Sequence, residues 1–401
     1  MEFRFINRFN TKPKLRGYKN AKASYLSRIR WAVSLFYFAM GLTFASWASR
    51  IPDIKTSLHL SEGALGTVLL AIPMGQLVAM PFSGKFVTRF GSHRTLVLGL
   101  VFYAFSLTNI GLAITSWQLM AGLFVFGIFG NLSNISVNTQ GVYTEALYKK
   151  TIMSSFHGMW SFAGFTGALT GLLMMALKLP PYSHFLIVGA IVLIIIALNF
   201  RFLVKAKASS KVENKRFFAK PDSLLIWLGL IAFCCMASEG VMFDWSGVYF
   251  KEIVKAPGPW IILGYTSFMI MMAAGRFFGD GLVQRYGAKL VLQISGCLIS
   301  FGLFTAVVFP YLIPATLAFM LVGIGVSTVV PTIYSLAGKN AAIPPGEALT
   351  VVSGVSFLGF LMGPPVIGYI AEAFGLRFSF AFIGLFGILI AFLVYKVKHI
   401  L

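Results

Sequence analysis

Charge is scarce in this sequence, and acids are scarcer than bases. Only 11% of the 401 residues are Asp, Glu, Lys or Arg, and 12 acids stand against 33 bases. A soluble domain carries about 25% charged residues, so a water-soluble fold would lack the polar surface to wrap so large an apolar content. Cysteine is nearly absent. Cys234, Cys235 and Cys297 all lie in apolar runs, which excludes a disulfide framework or a Cys-based metal site and leaves small apolar fillers. No Gly-x-x-x-x-Gly-Lys-Ser/Thr loop occurs, so this chain does not read as an ATP-driven pump. His-Glu-x-x-His and Gly-x-Ser-x-Gly are missing too, and no protease or lipase chemistry is expected. No enzyme activity, cofactor or metal is expected. The alternating ten-residue pattern of a membrane barrel is missing. No small-residue cleavage site follows the basic N-terminus, which excludes a cleaved signal.

What is present is apolar length. The chain is 58% hydrophobic with 40 Phe and a mean hydropathy of +0.83. Bilayer-crossing helices need about 20 apolar residues, and twelve such runs are predicted. They lie near 31–50, 63–83, 95–114, 117–143, 155–177 and 183–204, then near 223–250, 258–278, 289–309, 314–337, 347–370 and 378–398. With the N-terminus in the cytoplasm, 27 of the 33 Lys and Arg fall on the cytoplasmic side. Arg276, Arg285 and Lys289 are counted there, with the turn after the eighth span. The positive-inside rule favours this orientation, with both termini cytoplasmic. It also accounts for the net charge of +21 by topology and headgroup contact, so no nucleic-acid partner is needed.

The chain repeats at an offset of 195–198 residues. Trp47 matches Trp245; the loop at 84–91 matches 280–287, pairing Arg89 with Arg285; Gly127-Ile128 matches Gly323-Ile324; Ser-Phe-Ala-Gly-Phe at 161–165 matches Ser-Phe-Leu-Gly-Phe at 356–360. The expected organisation is a basic tail (1–30), a six-helix bundle (31–204), a basic linker (205–221) and a second six-helix bundle (222–401). The fold class is an all-α membrane protein of two pseudo-symmetric halves.

This parallel 6+6 repeat resembles the major facilitator superfamily. The loop from Gly84 through Arg89 and Gly91 to Arg94 is similar to that family's signature between spans two and three, with Thr88 where Asp is usual. The resemblance implies a gating role for Gly84, Arg89, Gly91, Glu145 and Arg285, with Arg89 paired to Glu145. The segments Ser155–Ser161 and Ser238–Ser246 resemble a bacterial YbjJ-like branch, distantly similar to the fucose permease group. Span five lacks the Gly-Pro element of the family's drug–proton antiporters.

Two carboxylates lie in the seventh span. An Asp at bilayer depth costs about 2.5–3.5 kcal/mol on insertion scales, so Glu239 and Asp244 are candidate proton carriers. Gly240 and Gly247 could bend the helix to bring them together; satisfaction by Ser246 or a Trp N–H is the structural alternative. Asn131, Asn134 and Asn138 share one helix face and suit a polar solute or interhelical amide bonding. His157 is a gate, relay or capping residue. Trp47 and Trp245 are candidate stacking surfaces or belt aromatics. Arg50 pairs with Asp53 or with Asp244. Gly167-x-x-x-Gly171 and Gly359-x-x-x-Gly363 are expected at a moving seam.

These features together predict a secondary transporter of the bacterial inner membrane, working as a monomer. It would carry a small polar solute such as a sugar, driven by protons. A charge crossing 100 mV is worth about 2.3 kcal/mol. Two other readings stay open: an exporter of a metabolite or drug, and a membrane sensor or scaffold that transports nothing.

Overall fold

The computed structural model describes residues 15–60, 62–205, 223–257, 260, 263–339 and 343–397; residues 1–14 of the basic tail and nearly all of the 205–221 linker lie outside them, and the rest of the expected tail, 15–30, is corrected to the first turns of a long helix. Among the described residues there are twelve long α-helices and two short ones. The first half holds α1 (Leu15–Ser49), the short α2 (Ile51–Ser57) and α3 (Glu62–Leu69), α4 (Ala71–Phe90), α5 (Ser92–Ile110), α6 (Ser116–Tyr148), α7 (Met153–Ala176) and α8 (Pro181–Asn199). The second holds α9 (Ser223–Glu252), α10 (Leu263–Tyr286), α11 (Ala288–Val308), α12 (Leu312–Gly338), α13 (Pro345–Phe374) and α14 (Leu376–Lys396). Ten of the long helices are apolar enough to cross a membrane by length and composition. The other two are α5, which opens on Ser92-His93-Arg94, and α10, which carries Arg276, Asp280 and Arg285.

The two halves pack by one plan. In the first, α1 lies on α7 and α8, α6 on α4 and α5, and α5 on α8; in the second, α9 lies on α13 and α14, α12 on α10 and α11, and α11 on α14. The repeated glycines show why the sequence repeats. A Cβ at Gly127 would overlap the Ile72 carbonyl oxygen, and one at Gly323 would overlap that of Phe268, 196 residues on. At both places a helix crosses its neighbour at backbone distance, which only glycine permits. Gly91 and Gly287 occupy the left-handed region at φ 85° and 80°. Each donates its N–H 2.9 Å to a carbonyl four residues back, of Val87 and Val283, and turns the chain into the next helix.

The other small-residue motifs work inside each half. Cβ atoms at Gly167 and Gly171 would collide with Ala45 and Ser49 on α1, and at Gly359 and Gly363 with the backbone of Phe233 and Ala237 on α9. The expectation that they line the moving seam is therefore corrected. They close each bundle on itself.

Contacts between the halves gather at one end, where the basic α4–α5 and α10–α11 turns lie. Here α7 meets α10 and α4 meets α13. Gly84 sits against Thr350 and Gly346, Gly279 against Ser154, and Gly338 against Val142. The seam reaches inward as far as Met80 beside Gly354 and Ser161 beside Arg276. Farther from the basic end, Gly164 on α7 and Gly247 on α9 have nothing within 4 Å of a Cβ position. The molecule is closed at its basic end.

Candidate functional site

The centre of the seam holds a buried ion pair absent from the sequence-level expectations. Arg276 Nη2 lies 3.0 Å from Glu239 Oε1, with both side chains under a tenth exposed. Arg276 Nη1 donates 2.7 Å to Ser161 Oγ across the seam. The guanidinium thus ties α10 to α9 in its own half and to α7 in the other. Arg276 is not a cytoplasmic anchor in the turn after the eighth span. It sits more than two turns inside α10, where an unpaired charge would be prohibitive, and Glu239 is its counter-ion.

Beside this pair lies a second network. Tyr37 on α1 donates its hydroxyl 2.9 Å to Asn138 Oδ1, and His157 Nε2 lies 3.2 Å from the same oxygen. Asn138 Nδ2 donates to the backbone oxygen and side chain of Asn134, at 2.9 and 3.2 Å. The His157 ring lies 5.5 Å from Tyr37 and 6.0 Å from Tyr334 of the opposite half. Asn131 accepts a 2.7 Å bond from Ser83 on α4. The three asparagines share a face of α6 as the spacing implied. Asn131 and Asn138, however, are buried and held by neighbouring helices of their own half, and only Asn134 and His157 keep partial exposure.

Asp244 does not join Glu239. Helix α9 runs unbroken through Gly240 and Gly247, so five residues of rotation leave Glu239 buried and Asp244 exposed. The matched tryptophans also differ. Trp47 is 1% exposed, inside the core of the first half, and is corrected from a cavity wall to a packing residue. Trp245 is half-buried beside Gly368 of α13. Arg50 takes the nearer of its two expected partners, with Nε 2.7 Å from Asp53 Oδ2, and donates 2.7 Å to the Leu179 carbonyl.

At the basic end two carboxylates cap one helix. Glu145 Oε1 accepts the N–H groups of Ile152 and Met153 at 2.8 and 3.0 Å, where α7 begins. Asp280, from α10 of the other half, accepts those of Ser154 and Ser155 at 2.8 and 2.7 Å, and the Ser155 hydroxyl. The free N–H groups and positive dipole end of α7 explain why acids gather there. Across the seam, Glu145 also accepts the Ser335 hydroxyl and lies 3.6 Å from Lys339 Nζ, while Gln284 donates 2.6 Å to the Thr151 carbonyl. The expected Arg89–Glu145 pair is replaced by these contacts. Arg89 points outward over the ring of Phe90, and Arg285 repeats that pose over Tyr286. Thr88, in the usual Asp position, donates back to the Gly84 carbonyl at 2.9 Å.

Arg276 and Asp280 announce themselves as charges one helical turn apart in the apolar segment Ala-Ala-Gly-Arg-Phe-Phe-Gly-Asp. Tyr37, Ser161, Tyr334 and Ser335 carry no such signal, since a lone hydroxyl in an apolar helix is ordinary.

The family model described as Major Facilitator Superfamily matches residues 32–347. The chain is 30% identical over 371 residues to an uncharacterized transporter, y4wD, of Sinorhizobium fredii, spanning 92% of this chain and 97% of that one. Among solved structures it is similar to FucP, a Major Facilitator Superfamily transporter in the outward conformation. The TM-score is 0.81 at 15% identity, covering 93% of this chain and 99% of FucP. It is also similar to the proton:xylose symporter XylE, with a TM-score of 0.75 at 14% identity over 94% and 96% of the two chains.

Proposed function

The chain belongs to the major facilitator superfamily, a multi-pass membrane transporter rather than an enzyme, and from that premise we propose that it is a proton-coupled carrier of a small polar solute such as a sugar. The observation that carries the reading is the buried Glu239–Arg276–Ser161 chain. An ion pair held out of water is stable only while both partners are charged. Protonating Glu239 removes the counter-charge from Arg276, and Arg276 is also bonded across the seam. A proton taken up at Glu239 is thereby felt at the contact between the halves.

The solute site would lie near the midplane, between the halves, beside Asn134 and His157 and open toward the end away from the basic turns. That site suits a hydroxyl-rich solute, and the xylose symporter XylE shares the fold. With the basic end in the cytoplasm of a bacterial inner membrane, closure at that end would correspond to an outward-open state. Rocking the halves about the central pair would then expose the same site to the cytoplasm. The two bundles (31–204 and 222–401) would be the rigid bodies, and the carrier would work as a monomer.

Uptake into proteoliposomes under an imposed pH gradient tests the coupling. Glu239→Gln leaves Arg276 without a counter-charge and abolishes gradient-driven accumulation, while solute exchange without a gradient survives. Wild-type accumulation by the variant, with unchanged pH dependence, would sink the proposal.

A further inference from the structure

Away from the seam, on the lipid-facing flank of the first half, a groove of about 530 Å³ opens where the start of α5 meets the end of α8. Its rim is basic, formed by His93, Arg94 and Lys205, and its wall is apolar, with Leu98, Phe102 and Phe200 all exposed on it. No acid among the described residues lines it. On α5, Arg94, Leu98 and Phe102 recur every four residues on one exposed stripe. At 1.5 Å per residue, the stripe runs about 12 Å from the charged rim into the depth of the acyl chains.

The rim is held in place. The buried Gln140 of α6 donates 2.9 Å to the Val204 carbonyl and accepts the Val204 N–H at 2.8 Å, a two-bond clamp on the residue before Lys205. The same Gln140 nitrogen lies 2.8 Å from Ser92 Oγ, the residue before His93. One amide therefore sets the segment after α8 beside the first turn of α5 and brings the two cations, Arg94 and Lys205, and the His93 imidazole to one edge.

We propose that this groove is a binding site for an anionic phospholipid. The phosphate would sit on the His93–Arg94–Lys205 rim, and one acyl chain would lie along Leu98, Phe102 and Phe200. Charge complementarity selects the anion. The apolar wall below the rim selects a lipid over a free phosphate, which would leave that wall unused. Basic pockets at helix ends near the membrane surface recognise acidic headgroups in this way.

The test uses the full chain in phosphatidylcholine nanodiscs, titrated with dioleoylphosphatidylglycerol, counting retained lipids by native mass spectrometry. The wild type retains phosphatidylglycerol in preference to phosphatidylcholine. Each basic residue near the surface is worth about fivefold, so Arg94→Gln with Lys205→Gln lowers that preference roughly 25-fold. Lys289→Gln with Lys396→Gln, which removes the same charge elsewhere on the basic end, changes it less than about twofold. If the double variant does not fold in phosphatidylcholine alone, the single variants are titrated, each expected to lose about fivefold. The proposal is overturned if the wild type shows no preference, or if the rim and control variants behave alike. It is also overturned if glycerol phosphate displaces the lipid at equal concentration, which would make the groove an anion site.

Discussion

Asp280→Asn should open the basic end of the molecule. The carboxylate accepts two backbone N–H bonds from the first turn of α7 and the Ser155 hydroxyl, all across the seam. A hydrogen bond to a charged group is worth a net ~1.5–3 kcal/mol. Asparagine keeps one carbonyl oxygen for one N–H but turns an amide N–H₂ toward the other donors and gives up the charge facing the helix dipole. The loss is about 3 kcal/mol, or roughly 150-fold in the closed-to-open ratio at the basic end. The assay is the distance between spin labels at positions 149 and 289, at the ends of α6 and α11, in a background with Cys297 replaced. The wild type should give a single short distance and the variant a dominant longer one. Ser155→Ala, which removes only the hydroxyl, should shift the ratio by about tenfold. If Asp280→Asn leaves the wild-type distance distribution intact, the carboxylate is not what holds the two halves together.

Other expectations follow from packing. Gly127→Ala and Gly323→Ala each drive a methyl into a backbone carbonyl of the adjacent helix. Each should cost about 1–3 kcal/mol by forcing helices apart, read as a lowered thermal midpoint in detergent. Gly164→Ala, in open space, is the control and should be neutral; equal behaviour of all three would contradict the close-crossing account. Trp47→Ala should lower stability by about 3–5 kcal/mol, as loss of a buried aromatic does, with no change in apparent solute affinity in the folded fraction. A variant of normal stability with weakened solute binding would return Trp47 to the cavity wall.

Several of these features were legible in the sequence because they are local or repeated. An acid in an apolar run is costly wherever the helix is packed, so Glu239 stands out. Gly91, Gly127, Gly287 and Gly323 stand out because the same backbone constraint was imposed twice. What stayed hidden depends on neighbours that periodicity does not name. Arg276 reads as one more positive-inside residue until α9 is placed beside it, and then becomes the partner of Glu239. Trp47 and Trp245 occupy matched positions but unequal surroundings, because pseudo-symmetry repeats the backbone more faithfully than the side chains around it. The asparagine stripe shares a face as its spacing implied, but spacing does not say that Tyr37 and Ser83 reach it first. Glu145 reads from the resemblance as a gating residue, yet its partners are the start of α7, Ser335 and Lys339 rather than Arg89.

The start of α7 has a consequence for the pace of any alternation between states. Its positive end is claimed by two carboxylates, one permanent tenant from the same half and one visitor from the other. If the halves part, Asp280 would leave and Glu145 would stay, so the helix end would keep one negative charge. A carrier needs two resting states close enough in free energy to exchange many times a second. An interface that forfeited every cap on opening would make one state a trap. By keeping one acid at home, the fold makes the departure of the other a modest step.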